Sequence, residues 1–163
     1  MLDIKGTFRV TKVRALKSNI QYQILFLKDK ALFVKTGGQM ADGGLSGILG
    51  GSLGGMIGAG IGTAIDAKVR KSLDKKIKDK VSSLVDMEET EIINLDKNNF
   101  AFPYEEIFKM KMKKSFMSLN GARTGVLVIE GKKKEIYDIC VNQQYDECER
   151  IVHLILPDKI DQP

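Results

Sequence analysis

The sequence predicts an α+β chain: a body of short strands, one closing helix, and a helical segment inserted between the strands. Three observations lead there. Apolar runs with strand-like spacing recur at residues 20–36 and 91–141. An amphipathic stretch at 143–156 runs into Pro157. Between the strand-rich parts lies a run of 23 residues, 43–65, that contains no charge and ten of the chain's 16 glycines. With 163 residues, 43% of them hydrophobic, the chain can bury one core of ordinary size, so a single domain over 1–163 is expected. Residues 1–38 and 90–157 are assigned to the strand body with its helix, and 43–86 to the insertion.

Residues 2–10 alternate weakly and read as a strand. Residues 22–36 read as a hairpin whose charged tip is Lys28, Asp29 and Lys30, and Gly37 with Gly38 ends that pattern. The insertion follows. Gly43, Gly47, Gly51 and Gly55 form one four-residue series, and Gly50, Gly54, Gly58 and Gly62 another. Beside them runs an aliphatic ridge of Leu45, Leu49, Leu53, Ile57, Ile61 and Ile65. Residues four apart share a helix face, so the pattern describes a glycine-zipper helix with smooth grooves. Each glycine costs such a helix about 1 kcal/mol relative to alanine, so something must pack closely against it. The ridge continues through Val69, Leu73, Ile77, Val81 and Val85. A strict period of four drifts about 40° per repeat around a straight helix, and a hairpin of two helices with a turn near residues 58–63 is the more economical reading.

Strands resume at residues 91–95 and 100–102. The alternation at 108–113 places Phe108, Met110 and Met112 inward and Lys109, Lys111 and Lys113 outward. Residues 124–130 and 134–141 form a second hairpin across Gly131, Lys132 and Lys133. On the closing helix Tyr145, Cys148, Val152 and Ile155 share one face.

The net charge is +5, from 26 basic and 21 acidic residues. Residues 68–80 alone hold seven basic and two acidic side chains, which leaves 19 of each sign elsewhere. Lys68, Arg70, Lys71, Lys75, Lys76 and Lys78 therefore form a cationic segment directly after the apolar one, a composition suited to an anionic membrane surface and equally to a solvated helix face. Cys140 and Cys148 have no CxxC partner and read as reduced thiols of a cytoplasmic protein, and no apolar signal-peptide segment opens the chain.

The chemistry-bearing residues are few. His153 is the sole histidine, which with two separated cysteines makes poor material for a metal. The glycine run lacks the lysine and hydroxyl of a phosphate loop, and Glu105 with Glu106 reads as the solvation of a turn. The expectation is a non-enzymatic chain with no catalytic residues, no metal, no cofactor and no small-molecule substrate. The basic patches lack interleaved aromatics, so nucleic acid is not the expected partner.

Three stretches carry a family resemblance: ILFLKDKALFVKT at 24–36, NNFAFPYEEIFKMKMKK at 98–114, and the final strand pair leading into YDECERIVHLIL at 145–156. The turn Phe102-Pro103-Tyr104-Glu105-Glu106-Ile107 is the most distinctive. Together they resemble the bacterial pleckstrin-homology-like, or GRAM-like, domains over roughly half the chain. The resemblance implies a curved antiparallel sheet, a partly open barrel capped by the C-terminal helix, and a binding or scaffold role near membranes. It also implies headgroup-binding cations in the first inter-strand connection, here Lys12, Arg14 and Lys17. The inserted glycine-zipper hairpin departs from the family pattern.

A simple transmembrane anchor fits badly, because one crossing would leave the halves of a single barrel on opposite sides of the membrane. The glycine faces then meet the cationic helix of their own chain, a second copy in a homo-oligomer, or one leaflet of a bilayer. The expected role is peripheral association with the inner face of a membrane, or self-assembly. The competing class is a soluble interaction or structural protein whose insertion simply packs.

Overall fold

The computed structural model of the chain describes residues 2–14, 17–38, 75, 79, 82–114, 123–140 and 144–160. The glycine run at 43–65, with its aliphatic ridge, lies outside the described residues. So do Lys68, Arg70, Lys71, Lys76 and Lys78, whereas Lys75 is helical and exposed.

Among the described residues seven strands form one antiparallel sheet: β1 (Gly6–Lys12), β2 (Ile20–Phe26), β3 (Lys30–Gly38), β4 (Phe100–Pro103), β5 (Lys109–Lys114), β6 (Arg123–Glu130) and β7 (Lys134–Cys140). Their spatial order is β4-β3-β2-β1-β7-β6-β5, so the first and last strands are neighbours and β4 and β5 form the edges. The short pairing Val10 to Ile139 and Thr11 to Asp138 joins the two halves. Two helices described from end to end accompany the sheet, α1 (Glu89–Asn94) and α2 (Tyr145–Ile155), and residues 82–85 are also helical.

Strands β2 and β3 read as nearly continuous apolar runs because both of their faces are buried. Tyr22, Ile24, Phe26, Ala31 and Phe33 face the main core with Phe8, Val10, Leu127, Tyr137 and Ile139. Leu25, Leu27, Leu32 and Val34 face the other way, into a second core with Leu84 and Ile92. Helix α1 covers that outer face, and the N-terminal segment joins it through a hydrogen bond from Leu2 N–H to the Val85 carbonyl at 2.8 Å.

The strand expected at 91–95 is a helix. At six residues α1 is too short to persist alone, and two features hold it. The Glu88 backbone N–H donates to the Glu91 carboxylate at 2.9 Å, half of a reciprocal capping box. Ile92 is fully buried against the sheet. Asn99, itself buried, ties the helix to β3: its amide nitrogen donates to the Ile92 carbonyl and its oxygen accepts from the Lys35 N–H, both at 2.8 Å.

The main core is closed at one end by α2, which buries Tyr145, Cys148 and Val152. Gly125 is required there: a Cβ would sit 2.5 Å from the Tyr145 ring and 2.7 Å from the Lys113 carbonyl oxygen. The chain then runs back along β5, where Met110 N–H donates to the Lys159 carbonyl at 2.7 Å and Met110 bridges Ile160 in parallel. Among the described residues no helix is long and apolar enough to cross a membrane.

The turn between β4 and β5 is a single 3-10 turn, Tyr104–Glu106. Tyr104 fastens it to the β2–β3 hairpin, donating its hydroxyl to the Leu27 carbonyl and its N–H to the Asp29 carbonyl, both at 2.9 Å. Ile107 is then fully buried and its neighbour Phe108 is turned outward, 69% exposed. The inward placement expected for Phe108 is thus corrected. The alternation holds from Met110, which is buried, but the turn resets the phase before it.

Candidate functional site

Lys12, Arg14 and Lys17 lie on or beside the connection between β1 and β2. The β1–β7 pairing brings that connection to the same end of the sheet as the β6–β7 hairpin, whose tip carries Lys132, Lys133 and Lys134. Lys12 marks the join: its ammonium pairs with Glu135 of β7 and lies 5.8 Å from the Tyr137 ring centroid. Both partners of that pair remain about a third exposed or less, so it is worth on the order of 1 kcal/mol and mainly fixes geometry.

Arg14 acts within its own loop. Its Nε and Nη2 donate to the Ser18 carbonyl at 2.9 and 2.6 Å, and its backbone N–H donates to Asn19 Oδ1 at 3.1 Å. The guanidinium therefore braces the connection. Lys17 is exposed, and Val13, between Lys12 and Arg14, is 58% exposed. At the other hairpin Lys132 reaches Glu106 at 3.5 Å, while Lys133 and Lys134 are exposed. Six cations thus surround this end, set against Glu135 and Glu106.

Beneath them lies an aromatic cluster. Phe33 and Phe100 stack at 4.7 Å, Tyr137 lies 5.2 Å from Phe33, and Tyr22 meets Phe33, Phe100 and Tyr137 edge-on. Burial raises the Tyr22 phenol above its ordinary value, with Arg14 opposing and Asp96 and Glu135 reinforcing the shift. Tyr137 is pushed up further, chiefly by burial, and its hydroxyl has no hydrogen-bond partner among the described residues. Both phenols are neutral at physiological pH and serve as core.

A second cationic group lies on the outer face of β5, β6 and β7. The register sets Lys109 beside Glu130 and Lys134, and Lys111 beside Val128 and Ile136. Lys111 donates to Glu130 at 2.9 Å. That hydrogen bond, with the charges of Lys111, Lys134 and Lys109, holds the Glu130 carboxyl below the usual range.

The remaining chemistry-bearing residues are dispersed. His153 is exposed on α2. No three His, Cys, Asp or Glu side chains converge among the described residues. Cys140 contacts the Thr11 hydroxyl at 3.6 Å. Cys148 is buried under α2, and burial pushes its thiol up from the ordinary 9 to about 12. The neutral thiol is the form the fold favours, so its contribution to stability is complete below pH 9 and drains away as the pH rises toward 12. Alkylation by iodoacetamide is expected to reach native Cys148 roughly 100-fold or more slowly than in urea; mass spectrometry of the labelled thiols checks this.

The sequence showed residues 12–17 and 132–134 as separate patches. Their meeting depends on the pairing of β1 with β7, more than 120 residues apart, for which no local pattern exists. The outward turn of Phe108 was also missed, although the 3-10 turn before it follows from the Pro103-Tyr104 motif. Compared with protein-family models, curated proteins and solved structures, the chain matches none.

Proposed function

We propose that the chain is a non-enzymatic, pleckstrin-homology-like module that associates peripherally with an anionic membrane surface and carries a glycine-zipper insertion. The observation that carries this reading is the meeting of two lysine-bearing segments, Lys12 to Lys17 and Lys132 to Lys134, at the end of the sheet opposite α2. The strand order, the closing helix and the Tyr104 turn support the family assignment. Anionic lipid attracts such a rim at about 1 kcal/mol per lysine near the surface, an attraction that falls as salt rises.

Flotation with phosphatidylserine-containing vesicles tests the reading. Wild-type protein is expected to float with them at low salt, to dissociate at high salt, and to ignore pure phosphatidylcholine. Joint replacement Lys132→Ala and Lys133→Ala is expected to weaken partitioning roughly 30-fold, about 2 kcal/mol. Arg150→Ala, exposed on α2 at the other end of the sheet, is expected to change little. A wild-type chain that stays at the bottom of the gradient at low salt ends the membrane reading. Oligomers in that same sample would favour assembly through the glycine faces.

A further inference from the structure

Phe108 is an anomaly of placement. Phe8, Phe26 and Phe33 are buried, Phe100 and Phe102 are partly buried, and Phe108 is the one exposed phenylalanine among the described residues. It is firmly held, since its N–H donates to the Glu130 carbonyl at 2.8 Å. One exposed aromatic is ordinary by itself; its surroundings are not. Across the β6–β7 hairpin, Ile136 is 51% exposed on the outward row it shares with Lys111 and Val128. Lys109 and Lys111 of β5 and Lys132, Lys133 and Lys134 of the hairpin belong to the same segments as the two apolar side chains, together with the acids Glu105, Glu106, Glu130 and Glu135.

The two outer faces of the sheet are treated differently. The face of β2 and β3 is covered by α1 and the second core. On the face of β5 to β7 the described residues place no such helix. Lys134 belongs both to this face and to the cationic rim, so the two surfaces are continuous around the hairpin.

We propose that this corner is the part of the protein that enters the bilayer. Phe108 and Ile136 penetrate the boundary between headgroups and acyl chains, while the five lysines engage anionic headgroups. Exposed apolar side chains on segments rich in lysine complement a surface that is charged outside and apolar a few ångströms deeper. The inference rests on the membrane reading above and adds an orientation to it: the module leans on the start of β5 and the β6–β7 hairpin, with α2 facing away.

The chain contains no tryptophan, so Phe108→Trp introduces a single reporter at an exposed site without disturbing the core. On mixing with phosphatidylserine-containing vesicles its emission is expected to shift to the blue and to be quenched by lipids brominated on the upper acyl carbons. Leu154→Trp, on α2 and 75% exposed, is expected to show neither. Phe108→Ser is expected to lower vesicle partitioning roughly tenfold while leaving the urea midpoint unchanged. If wild-type protein floats but the residue-108 reporter keeps its aqueous emission, or the residue-154 reporter shifts instead, the inference is overturned and the peripheral reading stands. If wild-type protein does not float, both fall.

Discussion

Phe33→Ala is expected to destabilise the fold by about 3–5 kcal/mol, the range for removing a large buried aromatic. The ring stacks on Phe100 at 4.7 Å with an 8° interplanar angle and also touches Tyr137 and Tyr22. It therefore joins an edge strand, β4, to the middle of the sheet and to β7 on the far side. The void would be lined by three aromatic rings, too rigid to collapse into it, so the cavity penalty applies nearly in full. Since domains are typically stable by only about 5–15 kcal/mol, this one change removes much of the margin. Urea denaturation followed by circular dichroism measures it. A loss under about 1 kcal/mol would mean that the aromatic cluster is not the packed centre described above.

Ile92→Ala is expected to cost about 2–5 kcal/mol, and to spend it in one place. Ile92 is the fully buried residue of α1, and the second core around it holds Leu84 and Met87 on the outer face of β2 and β3. A six-residue helix has little stability of its own. Loss of Ile92 should therefore release α1 before the rest of the sheet unfolds. Hydrogen exchange is expected to quicken at residues 84–99 while the amides of β1 and β7 keep their protection. Uniform loss of protection across the sheet would instead show that the second core is part of one cooperative unit with the first. The substitution leaves the side chains of Glu88, Glu91 and Asn99 unchanged, which isolates apolar burial as the cause.

Much of the architecture is legible in local pattern. The hairpin at 20–38 follows from two apolar runs around Lys28 and Asp29, and the one at 123–140 from Gly131, Lys132 and Lys133. The helix at 145–155 follows from spacing and Pro157. Where local pattern misled, the cause is identifiable. Residues 89–94 contain Ile92, Ile93 and nearby Leu95, which read as strand, but the capping acids and a one-sided burial of Ile92 select helix. Tertiary context overrode a weak propensity. Phe108 fits the alternation of Met110 and Met112 on paper, yet the turn anchored by Tyr104 spends the inward position on Ile107.

By itself, the sequence determined the β2–β3 and β6–β7 hairpins with their tips, the inward face of the closing helix and the location of every lysine along the chain. Tertiary structure alone decided which of those lysines became neighbours, that β2 and β3 carry a core on each face, and that a phenylalanine stands in solvent. The physical reason is one of range. Periodicity and turn chemistry act over a few residues and are written locally, whereas the pairing of β1 with β7 is selected by the packing of the whole core across more than 120 residues.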